Sequence, residues 1–153
     1  MKQSIDAAVL SDKLRNLKWL THHYPDNPEK EIQNLLSSIK ILKKDNLKKM
    51  IVTDYQFISV VLSLKDNSAA RIWWRHHIYP VPGNKYYGEW KDFLLKTIKN
   101  KNIEAVYTIH PLEGESDIFE GMISDNCYSK ERLNEILTVQ KLKECNELIS
   151  FNK

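Results

Sequence analysis

The stretch Lys48-Lys49-Met50-Ile51-Val52-Thr53-Asp54-Tyr55-Gln56-Phe57-Ile58-Ser59-Val60-Val61-Leu62-Ser63-Leu64 changes its hydrophobic period half-way along. Met50 to Thr53 is a short apolar run ending in β-branched residues, whereas Phe57, Ile58, Val61 and Leu62 recur at helical spacing. The change predicts a buried strand, a sharp turn at Asp54 and a helix over 55–64. In an open α/β sheet, ligands sit beyond the carboxyl ends of such strands. Asp54, Tyr55 and Gln56 are therefore the first candidate binding residues. An Asp in that position equally serves to cap the following helix through its backbone N–H groups.

Working outward, Tyr-Pro-Asp-Asn-Pro-Glu at 24–29 breaks the chain at Pro25, offers Asn27 as a helix cap and puts Pro28 where its missing N–H costs nothing. Ile32, Leu35, Leu36, Ile39 and Leu42 follow at steps of three and four, predicting an amphipathic helix over 28–43 that ends near Asp45-Asn46. Residues 1–16 read as a loose start, with a short strand near Leu17 to Leu20. On the other side, Arg71 to Arg75 suits a second, shorter strand, and His76 to Gly83, with its prolines, an irregular loop. Asn84 caps a helix over 85–99 whose inner face is Tyr87, Trp90, Leu94 and Ile98, with Tyr86 and Phe93 on its flanks.

Ile103 to Ile109 is the second clear strand. With a helix between strands, a right-handed βαβ crossover is the natural connection. Ser116 suits the start of a short helix through Ile118, Phe119, Met122 and Ile123. Leu133 to Leu142 fits both periods and reads best as a helix or turn followed by an edge strand. The alternation predicts a single α/β domain over 1–153, with a mainly parallel sheet flanked by helices in a Rossmann-like three-layer arrangement.

Composition limits the function classes. With 153 residues, 42% hydrophobic and 28% charged, the chain suits one domain with its own core. The formal charge of +3 is mild and the cations are interspersed with acids, which disfavours a phosphate-tracking nucleic-acid binder. Apolar runs are too short to span a bilayer, so this polypeptide taken alone should be soluble. No P-loop, dinucleotide fingerprint or nucleophile elbow is present, so no cofactor or catalytic residue is assigned. His22-His23 and His76-His77 invite a metal reading. Adjacent histidines point different ways, however, and no cysteine or carboxylate stands at a ligand spacing, so no metal site is assigned. Trp73, Trp74, Tyr79, Tyr86, Tyr87 and Trp90 concentrate aromatic faces that stack on sugars or bases, although many such residues belong to cores. His77 and Tyr79 join the candidate binding set because their loop follows the second predicted strand.

Several segments resemble one family. They are Leu17-Lys18-Trp19-Leu20; Pro28 with Glu31-Ile32; Ile51 to Phe57; Asn84-Lys85-Tyr86-Tyr87 with Trp90-Lys91-Asp92-Phe93; Ile103 with Val106 to Ile109; and the pair Cys127 and Cys145. Together they resemble the C-terminal, non-membrane part of a bacterial family of polytopic membrane proteins similar to dolichyl-phosphate-mannose protein mannosyltransferases and other lipid-linked-sugar glycosyltransferases. The resemblance covers Leu17 to Cys145, and none of its motifs is a catalytic signature.

The resemblance implies an accessory domain at the extracytoplasmic (periplasmic) face of the cytoplasmic membrane. Its partner would be the transmembrane portion of the same or another protein, and its role would lie in acceptor or sugar recognition. It places the polyprenyl-linked donor outside this chain, which is then either a piece of a longer protein or an independent relative. An extracytoplasmic setting permits a disulfide between Cys127 and Cys145, worth roughly 3 kcal/mol in the chain-entropy model; two buried thiols are the equal alternative. The competing function is a free-standing cytosolic α/β enzyme or nucleotide-binding domain using Asp54 and the loop after Ile109.

Overall fold

A computed structural model describes residues 4–20, 24, 26–53, 55, 57–64, 80, 82–109 and 118–149. In chain order its elements are β1 (Ser4–Asp6), β2 (Lys18–Leu20), α1 (Pro28–Lys44), β3 (Lys49–Thr53), α2 (Ile58–Leu62), α3 (Tyr87–Asn100), β4 (Ala105–Ile109), β5 (Tyr128–Arg132), β6 (Leu137–Leu142) and α4 (Asn146–Ile149). Strands β1 and β2 pair antiparallel as a small separate sheet. The main sheet has the order β3-β4-β6-β5.

The mixed α/β architecture stands, but the mainly parallel, Rossmann-like sheet does not. Among the described residues only β3 and β4 run parallel, with Met50 opposite Val106 and Thr53 opposite Ile109. Both β4–β6 and β5–β6 are antiparallel. The cause is local. Between Arg132 and Leu137 the chain turns on Asn134, whose Oδ1 accepts the N–H groups of Ile136 at 2.9 Å and Leu137 at 2.8 Å. A connection this short joins only antiparallel neighbours, since a parallel return needs a crossover of a dozen or more residues.

The same hairpin corrects the reading of the C-terminal third. There are two strands, and β6 lies inside the sheet while β5 is an edge strand. Leu-Thr-Val-Gln over 137–140 looks like a strand with one solvated face, yet Thr138 and Gln140 are buried along with Leu137 and Val139. Gln140 Oε1 accepts the Ile118 N–H at 3.4 Å, so a distant segment takes the place of water.

Both faces of the sheet are covered. On the first, Ile51, Ala105, Tyr107, Ile109, Leu137 and Val139 pack with Leu35, Ile39 and Leu42 of α1 and with Ile58 and Val61 of α2. On the second, Met50 and Val106 pack with Leu94, Leu95 and Ile98 of α3 and with Phe119, Met122 and Ile123. Each fully buried residue of this size contributes about 1.5–3 kcal/mol relative to exposure. Burial from both sides explains why every residue of β4 is buried.

Helix α1 starts as read, with Asn27 Oδ1 accepting the Lys30 N–H at 3.1 Å and Pro28 in the first turn. Its other end is held by a lysine. Lys49 Nζ donates to the carbonyls of Leu42 at 3.0 Å and Asp45 at 2.5 Å, placing a cation at the negative end of the helix. Helix α2 is shorter than the expected 55–64, because Ser63 takes a left-handed conformation (φ 55°) and closes it.

In α3 the inner face is Leu94, Leu95 and Ile98; Tyr87 and Trp90 are half-buried at its border. Residues 118–124 form bends and turns where a short helix was expected. Within the expected loose start, Ala7, Leu10 and Leu14 are buried in the core. Lys13 Nζ ties this segment to α2 through the Val60 carbonyl at 3.3 Å. The expected strand over 71–75 and the start of the loop after Ile109 lie outside the described residues.

Candidate functional site

The carboxyl ends of β3 and β4 lie side by side, and β6 begins next to β4, with Ile109 opposite Leu137. The first half of α1 and the 133–136 turn flank this end. Of the five residues singled out for binding, the structure describes Tyr55 alone; Asp54, Gln56, His77 and Tyr79 lie outside the described residues.

Tyr55 is not on the surface. It is fully buried, and its hydroxyl donates to Glu31 Oε1 at 2.8 Å. Its own N–H donates to Thr53 Oγ1 at 3.0 Å, and its ring meets Phe57 edge-on with centroids 5.8 Å apart. A side chain buried and hydrogen-bonded in this way cannot face a docked sugar.

Glu31 is the residue that sequence reasoning missed. It is as inaccessible as Tyr55. The signal was its place in the series Glu31, Leu35, Ser38 and Leu42, which shares one side of α1, with two polar residues among the buried ones. A carboxylate in that series requires a buried donor, and the nearest aromatic hydroxyl across the core supplies it.

Towards solvent the polar network continues. Ser38 Oγ donates to the Asn34 carbonyl at 2.8 Å and accepts from Asn134 Nδ2 at 3.0 Å, joining α1 to the β5–β6 turn. Lys30 and Glu135 pair across the same gap at 2.7 Å. The hydrogen bond from Lys30 holds the Glu135 carboxyl below its ordinary value and, reciprocally, raises Lys30. Burial, with Glu135 nearby, raises the Tyr24 phenol. The rim is thus cross-linked by polar contacts while the strand ends behind it are locked from below.

A second exposed feature belongs to α3. Tyr86, the residue before α3, and Phe93 within it are about half exposed, at 51% and 49%, one and three positions from the half-buried Tyr87 and Trp90. The Trp90 and Phe93 rings lie 5.7 Å apart, and Lys85 Nζ sits 4.6 Å from the Tyr86 ring centre. Much of the Tyr86-to-Phe93 aromatic surface therefore faces solvent, in contrast to Tyr55.

Beyond the strand ends, Cys127 and Cys145 are joined as a disulfide with their Cα atoms 5.3 Å apart. The bridge closes the open end of the β5–β6 hairpin, next to the hydrogen bond from the Lys143 N–H to the Cys127 carbonyl at 2.8 Å. All five histidines lie outside the described residues. Among the described residues no three His, Cys, Asp or Glu side chains gather as a metal site. Among them, too, no helix is long and apolar enough to cross a membrane.

No family model, curated protein or solved structure matches the chain.

Proposed function

We propose that this chain is a non-catalytic accessory domain of a membrane-bound, glycosyltransferase-like sugar-transfer system, placed on the extracytoplasmic face and contributing to recognition of acceptor or sugar. The observation that carries the reading is the Cys127–Cys145 disulfide. Disulfides persist in oxidising compartments and are rare in the cytosol, so the bridge supports the extracytoplasmic placement over the cytosolic enzyme. The resemblance of Leu17 to Cys145 to lipid-linked-sugar transferases supports the same setting.

The recognition surface moves with the burial of Tyr55. The exposed rings of Tyr86 and Phe93, bordered by Lys85, support α3 as the face that meets a carbohydrate or a neighbouring loop of the transmembrane portion. Rings half open to solvent offer the flat apolar surface on which a sugar ring stacks.

Two measurements test the reading. The 153-residue chain is assayed for turnover across nucleotide, phosphoester and glycoside substrates, and for binding to a panel of immobilised glycans. Binding without turnover, lost on Tyr86→Ala with an unchanged circular dichroism spectrum, is expected. Reproducible turnover abolished by Asp54→Ala with folding intact would overturn the accessory role and establish the enzyme.

A further inference from the structure

Another concave surface lies at the opposite end of the sheet, where β3 and β4 begin, and it is independent of the proposed role. A cleft of about 540 Å³ opens between the C-terminal end of α3 and the chain leading from β6 into α4. Small-molecule sites run to about 300–1,000 Å³, so the space suits a compact ligand. Its wall continues the core on the α3 side: Ile98 and Ile103 are buried in that core, and Leu142 and Leu148 are half-buried against it. The wall is aliphatic, without an aromatic ring, and suits an alkyl chain better than a planar aryl group, which gains from stacking on rings. Each methylene fully buried there would add about fourfold in affinity.

The charges around the opening select no head group. Lys99 and Lys143 are matched by Glu104 and Glu144. Lys141 also borders the cleft, but it shares its face of β6 with Leu137 and Val139 on the α1 side, where its ammonium stands 3.8 Å from Glu131. A balanced, water-exposed rim adds little to the binding of an anion or of a cation. Affinity therefore has to come from the aliphatic wall.

The wall is also preformed. Cys145 lines the cleft and is bound covalently to the buried Cys127, and Leu148 follows in the next turn, its N–H donating to the Cys145 carbonyl at 3.2 Å. A wall held before the ligand arrives lowers the ordering cost of binding.

We propose that this cleft binds a single medium-length aliphatic chain, recognised by contact with Ile98, Ile103, Leu142 and Leu148 and not by the charge of its head group. The test titrates the protein with n-hexanol, n-octanol, octanoate and octyltrimethylammonium, all as monomers, while backbone amide shifts are followed. Octanol is expected to saturate, with shifts confined to 98–104 and 142–148, and to bind about tenfold more tightly than hexanol, its two further methylenes being enclosed in a cleft with one open side. Octanoate and octyltrimethylammonium should match each other within about threefold. Leu148→Ser should weaken octanol about tenfold and leave the circular dichroism spectrum unchanged. Vesicles of phosphatidylcholine should not carry the protein down on centrifugation, since the cleft takes one free chain. Absence of saturation, no gain from hexanol to octanol, a clear preference for either charged head, shifts centred elsewhere, or sedimentation with the vesicles that Leu148→Ser abolishes would overturn the proposal.

Discussion

The two faces of the sheet are held by different chemistry. On the α1 face, polar groups are locked in pairs: the buried Tyr55 with the buried Glu31, and the buried Tyr107 with the half-buried Asp45. On the α3 face, apolar packing is closed by a covalent link, Cys127 to Cys145. Hydrogen-bonded pairs fail when one partner changes its proton count or is removed. A disulfide fails when it is reduced. The α1 face should therefore answer to pH and the α3 face to redox state, and that contrast can be broken one contact at a time.

The largest effect belongs to Tyr55→Ala. It empties a fully buried aromatic site and removes a donor from the Glu31 carboxylate, for a loss of about 4–5 kcal/mol in urea unfolding. A domain of ordinary stability, about 5–15 kcal/mol, would be brought close to unfolding. Tyr55→Phe keeps the ring and should cost about 2 kcal/mol. Equal costs for the two would mean that the hydroxyl carries the whole effect; no cost for either would place Tyr55 at the surface after all.

Next comes the bridge. Reduction, or Cys127→Ser with Cys145→Ser, should lower stability by about 3 kcal/mol, as expected for constraining a loop of 18 positions in the unfolded chain. Amide exchange should rise in 143–149 and leave β3 and β4 protected. If the α1 face loosened first, the division between the faces would be wrong.

A smaller effect sharpens the pH side. Burial opposes ionisation of Asp45, but the Tyr107 hydroxyl, the Leu47 N–H and the Lys49 charge together hold its carboxyl below the ordinary range. Reciprocally, burial and then the Asp45 carboxylate push the Tyr107 phenol up. Because the folded value of Asp45 is the lower one, its contribution is complete above the unfolded value of about 3.9 and is lost as pH falls through the folded value. Asp45→Asn should cost about 1 kcal/mol at neutral pH, after allowing for its partial exposure, and flatten the acid limb of a stability–pH curve below about pH 4. An unchanged acid limb would remove Asp45 from the account.

The smallest effect is expected at the rim. Lys30 and Glu135 pair at 2.7 Å, but both are well exposed. Lys30→Met should move the urea midpoint by no more than the error of measurement, even at low salt. A clear loss would show that the rim, and not the buried pair, anchors α1 to the hairpin.

How much of this was legible depended on the kind of signal. Asn27-Pro28 and the stripe from Leu35 to Leu42 specify α1 by backbone chemistry and local periodicity, and the helix runs from Pro28 to Lys44 as that chemistry requires. The change of period after Thr53 located β3 and the helix following it, and Ile103 to Ile109 located β4. Leu133 to Leu142 reads as a helix or turn followed by an edge strand because it fits both periods, yet β6 lies inside the sheet with Thr138 and Gln140 buried. Here Ile118 is one partner of Gln140, and nothing near 140 in the sequence announces it. The candidate site suffered in the same way. Position after a strand singled out Tyr55, but its exposure was decided by Glu31, twenty-four residues earlier.

By itself, then, the sequence determined the local elements: where α1, β3, α3 and β4 lie, and that the chain alternates helix and strand. Those follow from caps, β-branched runs and spacing, which act over a few residues. Only the tertiary structure decided the direction of the sheet, the burial of Tyr55 and Glu31, and the joining of Cys127 to Cys145. Each of these depends on how elements distant in sequence come together.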